Sequence, residues 1–231
     1  NMITNNDDLL KVLDELFDMK RNQKVFWDDL YADKYLNIPI FTNKPDGTLV
    51  DLINNHSNIF SALDIGSGNG RNSVYLAKNK IKTSVIDFSQ EALDWVKQNA
   101  INNDVKIEIN KGYVTKDILE ERYDLIYDSS CFLHLTPHRR VNYKNFILSH
   151  LKENGVFGLV TFYEGGEMGG YAGSDQSCYE NYSIYGGLGY TEEKISKIFY
   201  EFEIVEQRRM KKETAIEFGH EDLLYTLMKR I

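Results

Sequence analysis

Apolar and polar positions change period several times along this chain, and each change marks an element. Leu9, Val12, Leu13, Leu16 and Met19 recur at helical spacing behind the polar run Asn5-Asn6-Asp7-Asp8, which predicts a helix to about Lys20. A shorter helical pattern holds Phe26, Trp27, Leu30 and Tyr31. Residues 35–41 should be extended, because Pro39 biases Ile38 away from helix, and Pro45 can sit in the first turn of a helix carrying Leu49, Val50, Leu52 and Ile53. Then the period shortens. Ile59, Phe60, Ala62, Leu63 and Ile65 form an apolar run typical of a buried parallel strand, ending in a glycine turn and a helical pattern through Val74, Leu76 and Ala77.

Strand patterns follow at 81–86, 105–109, 123–127 and 155–162. Between them, Ser89 can cap a helix that turns Ala92, Leu93, Val96 and Ala100 inward, and Thr136-Pro137 can open one through Tyr143, Phe146, Ile147 and Leu151. Residues 163–190 read as a long loop with eight glycines and six tyrosines; loops of that length are functional or disordered. A short helix from Thr191 and strands at 203–209 and 223–228 close the chain. Strands alternating with helices make this an α/β chain. It reads as one domain over 1–231, with a helical cap (1–58) before a core (59–231) that carries the 163–190 insertion.

Composition narrows the partners. The 231 residues suffice for one well-cored domain, and 42% hydrophobic with 27% charged is ordinary for a globular protein. A formal net charge of −8 argues against a phosphate-backbone partner, since such binding is driven by Lys and Arg. Cys131 and Cys178 give neither a disulfide framework nor a zinc pattern, as expected of a reducing cytoplasm. No apolar run approaches the roughly 18 residues of a spanning helix, and no signal-peptide core is present, so a cytoplasmic protein without a membrane partner or metal is expected.

The glycine turn carries the clearest chemistry. Gly66, Gly68 and Gly70 leave no Cβ in a ligand's way, and the next helix offers unpaired N–H groups to a carboxylate or phosphate. A dinucleotide fingerprint, G-x-G-x-x-G, fails because position 71 is Arg; what stands is D-x-G-x-G-x-G from Asp64 to Gly70. Asp87, at the end of the following strand, can accept both hydroxyls of a ribose. In these residues the sequence resembles the class I S-adenosylmethionine-dependent methyltransferases. The resemblance implies that cofactor and a Rossmann-like, mostly parallel seven-stranded sheet with an antiparallel last strand. It places Gly66, Gly68, Asn69 and Gly70 around the methionine end and makes Asp64 the buttress of the loop. It assigns the ribose to Asp87, and the adenine to Phe88, Gly112, Tyr113 and Val114.

Two further stretches carry a narrower resemblance. Phe26–Tyr31, Ile38–Phe41 and Lys44-Pro-Asp46 are similar to the cap of thiopurine-methyltransferase-like enzymes and their bacterial relatives. That implies a small-molecule acceptor and a Trp27–Phe41 segment folded over the cofactor; on the residues alone, this stretch is either a lid with Trp27, Tyr31 and Phe41 facing the ligand or a set of helices covering one sheet face. The run Asp128 to Arg140 resembles the same group's strand-end acid, aromatic-His patch and Pro-x-x-Arg. Ser129 and Ser130 stand for its Arg-Gly pair, so an arginine on the cofactor carboxylate is missing at this position. His134 and Asp128 are candidate catalytic residues and Ser129 a cofactor contact. The plainer readings are a structural histidine and a turn acid, a packed Cys131, and solvated Arg139 and Arg140. A tyrosine-walled acceptor pocket closed by 163–190 and the cap stands beside a merely flexible loop. Three alternatives stay open: a non-catalytic S-adenosylmethionine-binding regulator, a methyltransferase acting on protein or RNA, and an NAD-dependent oxidoreductase. Residue types leave the acceptor atom and the oligomeric state undetermined.

Overall fold

The computed structural model describes residues 2–230. Its parallel strands are β1 (Ser61–Ile65), β2 (Lys82–Asp87), β3 (Ile107–Lys111), β4 (Tyr123–Ser129) and β5 (Leu151–Tyr163), with β6 (Gly189–Tyr190), β7 (Phe202–Arg209) and β8 (Leu223–Arg230) completing the sheet. The order is β3-β2-β1-β4-β5-β8-β7, with the two-residue β6 pairing beside β5. β8 runs antiparallel to both β5 and β7. The expected mostly parallel seven-stranded sheet with an antiparallel last strand is therefore present, with β6 as an extra. β1 is buried at every position, as a near-continuous apolar run requires of a central parallel strand.

Alternation along the strands splits the core in two. Leu63, Ile65, Ile126 and Phe157 pack under α6 (Arg140–His150) and α8 (Glu192–Ile198), whereas Ala62, Leu125 and Tyr127 pack under α3 (Gly47–Asn55). α4 (Arg71–Lys78) leaves the glycine turn, and α5 (Gln90–Asn102) starts at Ser89, whose hydroxyl accepts the Ala92 N–H. Within the stretch expected as a cap (1–58), α1 (Asn6–Asp18) and α2 (Gln23–Ala32) precede α3, whose Leu49 and Leu52 belong to the core. Among the described residues no helix is long and apolar enough to cross a membrane.

Local expectations shifted where backbone bonding overruled pattern. β3 starts two residues late because Val105 N–H closes the end of α5 on Ala100 O, with Asp104 left-handed at φ 53°. Residues 35–41 form linked turns rather than an extended run; Phe41 N–H reaches Ile38 O, placing Pro39 second in a turn, where its fixed φ fits. Asp46, not Pro45, precedes α3, and Thr136 opens a 3₁₀ turn (Pro137–Arg139) before α6. The 163–190 segment is not structureless: it contains α7 (Asp175–Asn181) and β6, and buries Cys178, Ile184, Leu188 and Tyr190.

Candidate functional site

Strand order reverses at β1 and β4, and a cavity of 440 Å³ opens there at the C-terminal ends of the strands, where open α/β sheets bind ligands. Its floor is the glycine turn. Gly66 and Gly68 hold φ of +60° and +54°, and a Cβ would lie 2.6 Å from Cys131 Cβ or 2.8 Å from Tyr31 Oη. Side chains are thus excluded from both sides of the turn. Gly70 instead packs against Val96 and does not line the cavity. The Asn69 side chain ties the turn to the cap by donating to Thr42 O at 2.8 Å. Ser67 Oγ is buried with no hydrogen-bond partner among the described residues, a donor that a ligand on the turn would satisfy.

Two carboxylates flank the turn. Burial pushes Asp64 up to about 7, although the Ser73 hydroxyl donates to it and Arg71 lies near. Burial likewise pushes Asp87 up to about 6, against the backbone N–H groups that stabilise its charge. One Asp87 oxygen accepts Ser89 N–H at 2.9 Å, while the other, among the described residues, takes the long contact from Gly68 N–H at 3.4 Å. That second oxygen is nearly free for a ligand. Beyond it, Phe88 and Tyr113 stack on each other (5.0 Å between centroids, 3° between planes), and Gly112 and Val114 continue the wall.

The cap reaches the cavity through α2. Ser89 Oγ donates to Asp28 at 2.7 Å and fixes α2 on α5. Trp27 then lies edge-on to His134 at 4.7 Å and near-parallel to Tyr31 at 6.0 Å. Phe41 does not line the cavity; it packs between Tyr31 and Trp95 and backs the ring that does. His134 faces inward from the turn after β4. Burial and the nearby Arg21 hold its imidazole neutral, pushing it down to about 3, and its ring nitrogens take no hydrogen bond among the described residues.

Asp128, expected at the chemistry, is fully buried away from it. Its carboxylate accepts the Cys131 and Phe132 N–H groups at 2.7 and 3.1 Å and the Tyr143 hydroxyl, so it caps the turn that carries His134. Ser129 and Cys131 do line the cavity, and Ser130 takes the left-handed φ of +74°. Arg139 and Arg140 are not solvated: Arg139 pairs with Asp14 of α1, and Arg140 with Asp175 and Tyr190. No tyrosine wall forms among the described residues. Tyr179 and Tyr182 meet Phe17 of α1 edge-on, Tyr171 stacks on Tyr185, and Met168 is the residue of 163–190 that lines the cavity. Tyr179 and Tyr182 thus pack against α1, while Gln23, Trp27, Leu30 and Tyr31 of α2 line the cavity.

Sequence reading missed two contributions. Phe162, Leu223 and Met168 give apolar lining on the β5–β8 side, where Phe162 and Leu223 pair in register, and Phe218 lines the cavity against Arg71. Arg71, 8% exposed, also lines the cavity; only its occurrence in place of a third glycine was visible.

Residues 62–155 match the family model for a methyltransferase domain. The chain is 39% identical over 89 residues to the release factor glutamine methyltransferase of Streptococcus pneumoniae (strain ATCC BAA-255 / R6), covering 37% of this chain and 32% of that one. It thus spans about a third of that curated relative's length. A protein solved in work on the conversion of a disulfide bond into a thioacetal group during echinomycin biosynthesis superposes with TM-score 0.71 at 17% identity, over 90% of this chain and 91% of that one. The Burkholderia thailandensis 1,6-didemethyltoxoflavin-N1-methyltransferase, solved with 1,6-didemethyltoxoflavin and S-adenosylhomocysteine, gives TM-score 0.63 at 16% identity, over 100% of this chain and 92% of that one. These structures establish the fold.

Proposed function

We infer, from a chain whose domain and fold are those of a class I S-adenosylmethionine-dependent methyltransferase, that it transfers a methyl group from S-adenosylmethionine to a small, uncharged and largely apolar acceptor. The observation that carries this reading is one continuous cavity lined both by the glycine turn and by apolar side chains. The glycine turn, the unsatisfied Ser67 hydroxyl and the half-free Asp87 carboxylate fit an adenosyl amino acid. Phe162, Met168 and Leu223 supply apolar lining. The resemblance of residues 26–46 to the thiopurine-methyltransferase-like cap supports a small acceptor, and so does the bound small molecule of the toxoflavin enzyme. Two free thiols fit a reducing cytoplasm.

When bound, the cofactor supplies a methyl group already activated by its sulfonium. The chain's task is then to align the acceptor for in-line displacement and to exclude water. Asp87 holds the ribose, Phe88 and Tyr113 border the adenine with Gly112 and Val114, and Tyr31 and Trp27 close the turn from above. Burial holds the His134 imidazole neutral. Its neutral ring nitrogen accepts a hydrogen bond from the acceptor and turns the lone pair toward the methyl group, and the acceptor's proton leaves to solvent.

The test is release of S-adenosylhomocysteine when purified protein and S-adenosylmethionine meet a panel of small aromatic and heteroaromatic thiols, amines and phenols. Turnover with an uncharged member and none with charged analogues is expected. Binding of the cofactor with no turnover across the panel, but transfer to a protein or RNA fraction, would overturn the acceptor class.

A further inference from the structure

We propose that Met168 sets the size of acceptor the cavity admits, and that Asp222 positions it for this by clamping the turn that carries it; the inference rests on the acceptor reading above. Met168 lines the cavity from the segment after β5, together with Phe162 and Leu223. It sits at the tip of a tight turn, Gly165-Gly166-Glu167-Met168-Gly169-Gly170. Gly165 N–H donates to Gly170 O at 2.9 Å, and Gly169 N–H to Gly166 O at 3.3 Å. Of the two tip residues, the charged Glu167 is exposed and Met168 is half-buried. The turn therefore offers the cavity its methionine, an unbranched and pliable side chain suited to a wall that meets ligands of varied shape.

Asp222, the residue before β8, fixes that tip. Its Oδ2 accepts Met168 N–H at 3.0 Å, and its Oδ1 accepts Arg209 Nη2 at 3.4 Å. Its backbone is tied as well: Asp222 O accepts Tyr163 N–H at 2.7 Å, and Asp222 N–H donates to His220 Nδ1 at 3.1 Å. The Arg209 guanidinium in turn lies 3.8 Å from the centre of the Tyr163 ring at the end of β5. Two of the glycines are required by this fit. A Cβ on Gly166 would lie 2.8 Å from Asp222 Cγ, and one on Gly169 would lie 3.0 Å from the Phe162 ring. The turn is thus seated between a carboxylate and an aromatic wall. Phe162 lies edge-on to His134, with 6.4 Å between centroids. Met168 therefore belongs to the wall that continues from His134 through Phe162, on the acceptor side of the reading above.

Calorimetric titration of the whole protein, saturated with S-adenosylhomocysteine, against the neutral probes phenol and 4-phenylphenol reads the size limit without turnover. Met168→Ala should raise the affinity for 4-phenylphenol relative to phenol by about 10- to 100-fold, the range over which a small change in an apolar pocket discriminates ligands. Met168→Trp should lower that ratio below the wild type's. Both variants should bind S-adenosylhomocysteine within about threefold of the wild type. Asp222→Ala frees the turn and should raise the ratio by about threefold or more, the worth of a lost hydrogen bond. Asp222→Asn, whose amide oxygen still accepts Met168 N–H, should return it to within about twofold of the wild type. If Asp222→Ala fails to fold, Gly166→Ala, whose Cβ pushes the turn off the carboxylate, carries the same expectation. A ratio that neither Met168 variant moves overturns the proposal, and one that moves with Met168 but with neither Asp222→Ala nor Gly166→Ala overturns the role of Asp222. Binding of neither phenol by the wild type overturns the acceptor reading instead.

Discussion

Asp87→Asn separates a binding carboxylate from a structural one, because the two roles move stability in opposite directions. Burial raises Asp87 from the ordinary 3.8 to about 6. A rise of about two units means that its charged form costs the native state on the order of 3 kcal/mol at neutral pH. The sign follows from proton binding. The native protein holds this proton more tightly than the unfolded chain, so stability falls as pH rises from about 4 to about 6 and is flat above. Asn keeps the shape and the oxygen that accepts Ser89 N–H, and gives up only the long contact from Gly68. Thermal unfolding near pH 7.5 should therefore show Asp87→Asn more stable by about 1–3 kcal/mol, a few degrees in Tm per kcal/mol, with the gain vanishing near pH 4. Calorimetry should show the opposite trend in function: S-adenosylhomocysteine affinity about 10- to 100-fold lower, from loss of charge-assisted bonds to the ribose hydroxyls. A variant less stable at neutral pH with unchanged affinity would make Asp87 a helix-capping residue and refute the reasoning.

Ligand affinity of the wild type should itself fall by up to about tenfold per unit as pH drops below about 6, where Asp87 protonates, and isothermal titration across pH measures it. His134→Phe should keep the packing against Trp27, lower kcat about 10- to 100-fold and leave S-adenosylhomocysteine affinity within about threefold; an unchanged kcat would remove His134 from the chemistry. Gly68→Ala puts a Cβ 2.8 Å from Tyr31 Oη at positive φ, so it should cost more than about 1 kcal/mol of stability as well as cofactor affinity, both read by thermal shift with and without ligand. Asp14→Asn removes the partner of Arg139, His138 and Lys116. Hydrogen exchange should then quicken over residues 6–18 while the sheet stays protected.

The glycine turn, Asp87 and the strands that carry them were readable because each depends on short-range chemistry: positive φ, an apolar run, an acid at a strand end. The same locality misplaced Asp128. It does end β4, but its carboxylate faces the Cys131 and Phe132 N–H groups of the following turn, a direction only the folded turn defines. Arg71 read as the lack of a third glycine, since its partners are Asp46, 25 residues back, and Phe218 on the β7–β8 connection. Composition suggested that the tyrosines of 163–190 wall the acceptor. Packing instead directs Tyr179 and Tyr182 at Phe17, so their effect on the site passes through α1. Apolar residues meeting in the cavity from β5, β8 and the loops beside them are similarly invisible until the antiparallel β5–β8 register brings Phe162 against Leu223.

The central claim is that this cavity is built for S-adenosylmethionine, and calorimetric titration of the purified protein with S-adenosylhomocysteine, with NAD as the control, tests it most directly. The account predicts saturable one-to-one binding of S-adenosylhomocysteine, a ligand-dependent rise in Tm and no response to NAD. Heat and stabilisation from NAD, with none from S-adenosylhomocysteine, would contradict it.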